Sequence, residues 1–164
     1  STPVDGDCDY TAVRVVAGYG VTGGTTGTAG QSAEGRSTAT FLTGQILRAS
    51  EEDVPVIMGL DANSVDDPAV DSIGTSARSQ GDGLITQVLS AGCQCSFRMH
   101  FPTLQIGTRM CPSGANFLTR IVVRQTPYFR CAAAAVHWEH RMPTDHAPLV
   151  TDVVGVFAPL GPYC

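Results

Sequence analysis

The sequence predicts an α/β domain built as a layered β-sandwich flanked by helices. Three observations lead there. Apolar runs rich in β-branched residues alternate with two stretches of helical periodicity in the first half of the chain. Several further strand-like runs follow the second helix. No repeat or linker interrupts the order β-α-β-α and then several β. It reads as one domain over residues 11–164, behind an irregular acidic stretch at 1–10.

The elements follow in chain order. TAVRVVAGY, 11–19, is β-branched and reads as a strand. GYGVTGGTTGTAGQ, 18–31, sets six glycines among threonines and reads as a flexible loop. It lacks the Gly-Lys-Ser/Thr of a phosphate-cradling loop. Residues 35–50 place Phe41, Leu42, Ile46 and Ala49 at helical spacing, with Gly44 as a weak point. VPVIMGL, 54–60, reads as a buried strand, and the acidic loop DANSVDDPAVDS follows it. GDGLITQVLSAG, 81–92, predicts a helix capped by Asp82, with Leu84, Ile85, Val88 and Leu89 on one face and Gly92 as its stop. CQCSFRMHF reads as a strand, residues 102–115 as a Pro/Gly loop, and NFLTRIVV as a strand. CAAAAVHW fits a strand or a helix, and APLVTDVVGVF is the last strand.

Composition bounds the class. With 164 residues, 43% hydrophobic and 15% charged, the chain can bury a core and is not disordered by composition. No apolar run approaches the roughly 18 residues of a membrane span, and the first 30 residues lack the basic start and apolar run of a signal peptide. The net charge is −5, and every basic residue is arginine. Residues 1–97 hold four Arg against twelve Asp or Glu, whereas residues 98–141 hold six Arg against Glu139 alone. Such asymmetry suits a site that seats a cation and steers a polyanion, though surface solvation would use the same arginines. Arg120, Arg124 and Arg141 are the candidate phosphate contacts. Of the six cysteines, Cys93 and Cys95 lie two apart, a poor geometry for bridging each other on a strand. No CxxC pair marks a zinc site.

Two spots carry candidate chemistry. In VPVIMGLDANS an apolar strand ends at Asp61, with Asn63 two residues on. A carboxylate there can take a proton or bind a cation, and an amide can donate to developing negative charge. A plain turn would use the same residue types. In HWEHRMPTDHAPLV, His137, His140 and His146 interleave with Glu139 and Asp145. Asp145 and His146 stand at a strand entrance, where they can offer a metal-binding carboxylate and an imidazole for an anion. The three histidines lack a standard zinc spacing.

In sequence order, VVAGY, the 35–50 helix, VPVIMGLDAN, GDGLITQVLSAG, NFLTRIVV and PTDHAPLVTDVVGVF resemble the later part of the endonuclease/exonuclease/phosphatase family. These metal-dependent phosphodiesterases include abasic-site nucleases, DNase I-like enzymes and the endonuclease domains of LINE-type retrotransposons, the last being closest in flavour. The resemblance implies a DNase I-like fold and hydrolysis of nucleic-acid phosphodiester bonds, of DNA in preference to RNA, with Mg²⁺ or Mn²⁺. It implies that Tyr19 contacts the scissile phosphate and that Asp61 orients or deprotonates water. Asn63 would hold a phosphate oxygen or the water, Asp145 would help bind the metal, and His146 would stabilise the transition state.

The chain departs from the family pattern in three places. Thr119 stands where the family has an Asp that orients the histidine, and Leu60 replaces the Gly before Asp61. No segment matches the family's first portion, which carries an Asn and the metal-binding Glu. Three readings therefore stand side by side. The chain is part of a nuclease completed by a second polypeptide, a catalytically degenerate structural or nucleic-acid-binding module, or an unrelated β-rich protein that self-assembles.

Overall fold

The computed structural model describes residues 12–20, 29–74, 83–140 and 144–155. Its centre is a four-stranded sheet. Strand β1 (Arg14–Tyr19) leads through helix α1 (Ala29–Glu51) to strand β2 (Val56–Asp61). The two strands pair in parallel from Arg14↔Val56 to Tyr19↔Asp61. Only a crossover can join parallel neighbours, and α1 supplies it. Strand β7 (Thr119–Arg124) runs antiparallel beside β2, and the short β4 (Gln94–Cys95) completes the order β1-β2-β7-β4.

The alternation of β2 decides which face is core. Val56, Met58 and Leu60 are buried, whereas Ile57, Gly59 and Asp61 look to the other side. Against the buried face pack Leu42, Ile46 and Ala49 of α1, and Ile85 and Val88 of helix α3 (Leu84–Ser90). Each of these Leu, Ile and Val side chains contributes roughly 1.5–3 kcal/mol on burial, and Ala49 less. Gly18 belongs to the same packing. A Cβ there would lie 2.7 Å from a methyl of Leu60 and 2.9 Å from one of Leu42.

The remaining elements frame this sheet. Helix α2 (Pro68–Asp71) is short, and Asp67 caps it by accepting from the Ala69 N–H at 2.9 Å. Strands β3 (Ser72–Gly74), β5 (Arg109–Cys111) and β6 (Gly114–Asn116) make a small sheet in the order β3-β6-β5. Strands β8 (Phe129–Val136) and β9 (Leu149–Gly155) form an antiparallel pair. Helix α4 (Ser96–His100) packs on β8 and β7, and β9 contacts β7. No helix among the described residues is long and apolar enough to cross a membrane.

Several elements differ from expectation. Helix α1 begins at Ala29, so the last residues of the expected glycine loop are helical, and Phe41 is exposed while Ala39 takes the core position. The helix runs through Gly35, which is buried, despite its low helix propensity. The expected Asp82 cap lies outside the described residues, and Gly83 occupies the cap position of α3. CQCSFRMHF pairs with β7 only at Gln94 and Cys95 and then turns into α4. There Phe97 packs on Phe101 and Phe117, with ring centroids 4.9 and 5.5 Å apart. The alanine run at 132–135 is strand, because β9 pairs along it and outweighs the helix preference of alanine.

Candidate active site

The site forms where β1, β2 and β7 end together. The registers Tyr19↔Asp61 and Asp61↔Thr119 set these three residues in one row across the sheet. Paired residues on neighbouring strands face the same side, here the side away from α1. With strands about 4.8 Å apart, the row spans about 10 Å.

Backbone contacts hold the strand ends close. The Gly20 N–H donates to the Asp61 carbonyl at 2.6 Å, and the Asn63 amide nitrogen donates to the Gly20 carbonyl at 2.6 Å. Only glycine permits this approach, since a Cβ at Gly20 would sit 2.3 Å from the Ala62 carbonyl oxygen. Asn63 adopts the left-handed conformation at φ 48°, and its N–H donates to the Asp61 carboxylate at 3.2 Å. Asparagine tolerates that conformation better than most residues. Asp61 is thereby aimed from below, with its side chain 20% exposed.

The loop before β9 brings in the other two groups. His146 Nε2 lies 4.0 Å from Asp61 Oδ2 and 3.8 Å from Asp145 Oδ1. On the far side of the ring, Nδ1 is 2.9 Å from the hydroxyl of Thr119. Asp145 is engaged by Arg109, whose Nε donates to Asp145 Oδ2 at 2.7 Å. That hydrogen bond, opposed by slight desolvation and helped by the guanidinium charge, holds the Asp145 carboxyl below its usual range. Thr108 steadies the same corner. Its hydroxyl accepts from the N–H groups of Leu118 at 2.9 Å and Thr119 at 2.8 Å.

Asp61, Asn63, Asp145 and His146 therefore meet in one cluster, with Tyr19 beside Asp61 at its edge and 65% exposed. Two of the three expected phosphate-binding arginines lie elsewhere. Arg120 is 1% exposed and pairs with buried Asp71, so it is a core residue and not a surface contact. Arg124 sits at the opposite end of β7 and donates to the Val54 carbonyl at 3.1 Å. Five residues of strand put it roughly 16 Å from Thr119. Arg141 lies outside the described residues. Arg109 and Thr108 went unnoticed in the sequence, since the Pro/Gly loop around them carries no motif. The one available signal was an arginine in the basic stretch.

Asp71 is the other residue that sequence reading missed. Burial opposes its ionisation, but the charge of Arg120 and hydrogen bonds from Arg98, Arg120 and the Asp67 N–H outweigh burial and lower its pKa. These groups line a cavity of about 420 Å³ that shares no residue with the Asp61 cluster.

A divalent ion was expected here. No group of three His, Cys, Asp or Glu side chains among the described residues is placed to hold one. Asp145 has one oxygen bound to Arg109 and the other beside His146. The described residues do not fit the metal site that the resemblance implies.

Comparison with solved structures places the architecture. A 3'-5' exonuclease, NExo, from Neisseria meningitidis aligns with TM-score 0.65 at 16% identity, over 85% of this chain and 60% of its own. The fold is DNase I-like. A second structure of NExo, described as a 3' phosphatase bound to a product DNA hairpin, gives 0.64 at 16% identity over 89% of this chain and 61% of that one. The APE2 catalytic domain of Xenopus laevis gives 0.53 at 18% identity over 77% of this chain and 46% of that one. The chain thus spans about three fifths of the length of the NExo structures. No family profile and no curated protein matches the sequence. In this fold Tyr19, Asp61 and Thr119 stand side by side at the ends of three neighbouring strands.

Proposed function

We propose that this DNase I-like domain acts on nucleic acid, DNA in preference to RNA, and hydrolyses phosphodiester bonds at the Asp61–His146 cluster. The observation that carries the reading is the approach of the Asp61 carboxylate and the His146 imidazole, 4.0 Å apart, on a rigid corner of the fold. In this reading Asp61 orients or deprotonates the attacking water, and its geometry is held by the Asn63 N–H. His146 donates to a phosphate oxygen and favours the transition state as charge builds there. Tyr19 contacts the phosphate from the rim. Asn63 donates one amide N–H to the Gly20 carbonyl, which ties the two strand ends together beside Asp61, and in this reading the rest of its amide group meets a phosphate oxygen or the water. The two NExo structures, an exonuclease and a 3' phosphatase bound to a product DNA hairpin, agree with a nucleic-acid substrate. The second polypeptide expected from the sequence gains no support from them.

A plasmid-nicking assay tests the reading, run with Mg²⁺, with Mn²⁺ and with EDTA so that the metal dependence implied by the family resemblance is tested alongside. The expected result is nicking by the wild type that is lost in Asp61→Ala and His146→Ala. Absence of nicking under all three conditions overturns hydrolysis.

Two observations favour a second reading, a nucleic-acid-binding module without catalysis. Thr119 presents a neutral hydroxyl to His146, and Arg109 covers Asp145. That reading predicts salt-sensitive DNA binding with no cleavage, since phosphate contacts release counterions.

A further inference from the structure

We propose that Arg109 is the phosphate-binding cation of this site, held in place by Asp145, so that the cluster meets a phosphodiester through a fixed guanidinium and not through a divalent ion. The proposal rests on the reading that the Asp61–His146 corner carries a phosphodiester. It goes beyond that reading by giving Asp145 a positioning role in place of metal binding.

The backbone fixes Arg109 relative to the histidine. Arg109 and His146 form an antiparallel bridge. On either side, the Met110 N–H donates to the Asp145 carbonyl at 2.9 Å, and the Ala147 N–H donates to the Thr108 carbonyl at 2.7 Å. The segments 108–110 and 145–147 are thus zipped together, and their side chains share one corner.

The side chain is fixed as well. Asp145 takes the Nε–H at 2.7 Å, which ties the guanidinium to that carboxylate beside His146. Among the described residues neither terminal nitrogen has a hydrogen-bond partner. The side chain is 35% exposed. A planar fork with free N–H groups, clamped at Nε, matches two oxygens of a phosphate. The guanidinium also feels Asp61, whose charge joins those of Asp145 and Cys111 in raising the Arg109 pKa, behind the Asp145 hydrogen bond as the leading cause. Arg109 thus neutralises carboxylates that would otherwise repel a polyanion. A divalent ion at Asp145 would have to sit beside this positive charge or displace it.

The experiment uses the whole chain and fluorescence anisotropy with a fluorescein-labelled DNA duplex. The variants are Arg109→Gln, Arg109→Lys, Asp145→Asn and His146→Ala, each checked for an unchanged thermal midpoint. Wild-type binding is expected to persist in EDTA. Arg109→Gln is expected to weaken it about ten-fold or more, the scale of a charge-assisted hydrogen bond. Arg109→Lys restores only part, because an ammonium has no fork, and Asp145→Asn gives an intermediate loss. If His146→Ala weakens binding and Arg109→Gln does not, Arg109 is no contact and this inference fails while the phosphodiester site stands. If the wild type binds no DNA, the phosphodiester reading fails, and inorganic phosphate decides the role of Arg109. Movement of its Nε–Hε nuclear magnetic resonance signal on phosphate titration supports an anion-binding guanidinium, and a static signal overturns it. Displacement of the same signal by millimolar Mg²⁺ also overturns the proposal, since it would show a metal taking Asp145.

Discussion

The Thr119 hydroxyl stands 2.9 Å from Nδ1 of His146 and is the ring's anchor on the side away from Asp61. A carboxylate in that position only accepts, so it demands an Nδ1–H and stabilises imidazolium. A hydroxyl donates or accepts, so it orients the ring without choosing its protonation state. Thr119→Val should therefore lower nicking or DNA affinity about five- to ten-fold, the worth of one neutral hydrogen bond. Thr119→Asp should raise the nicking rate. Rates of plasmid nicking across the two variants check both directions, and equal rates in all three proteins would remove His146 orientation from the account.

Gly20 has no room for a methyl group, because its place is taken by the Ala62 carbonyl oxygen. Gly20→Ala should push the ends of β1 and β2 apart and cost roughly 1–3 kcal/mol, as overpacking does. Chemical denaturation measures the loss. The same variant should lose Asp61-dependent activity even where it remains folded, since Asn63 would lose its grip on residue 20.

Asp71 pairs with two arginines at once. Arg98 donates to Oδ1 at 2.7 Å, while Arg120, stacked 4.4 Å over the ring of Phe117, reaches Oδ2. Asp71→Asn strands a buried guanidinium and should cost about 3–5 kcal/mol. The sign with pH follows from the lowered pKa. The folded state holds the carboxylate more readily than the unfolded state does. The contribution is therefore complete above the unfolded value of about 4 and is lost as pH falls through the folded value. Acid denaturation of the wild type should steepen below about pH 4, and Asp71→Asn should flatten that limb.

Cys93 is buried, and desolvation, only partly offset by Arg124, pushes its thiol to about 11. At pH 7 about one molecule in ten thousand then carries the thiolate. Iodoacetamide should leave Cys93 unmodified in the native protein and label it after denaturation, which mass spectrometry of the digested chain would read. Fast native labelling would mean that this part of the core opens readily.

The sequence alone determined the order of the long elements and the Asp61–Asn63 link. β-branched alternation and 3.6-residue spacing are local signals, and in β1, α1, β2, α3, β7 and β9 they agree with the packing that follows. An Asp-x-Asn step at a strand end is local too, and the plain turn it also suggested is the backbone that forms, with Asn63 left-handed and its N–H on the Asp61 carboxylate. Tertiary structure decided the rest. Nothing near Arg120 in the chain says that a carboxylate 49 residues away will bury it. Nothing near Arg109 says that residue 145 will claim its Nε. The alanines of β8 became strand only because β9 lay alongside. Local periodicity records which face of a segment avoids water. Which charges find each other depends on distances that exist only after the chain has closed on itself, and the chemistry of this site is made of those pairings.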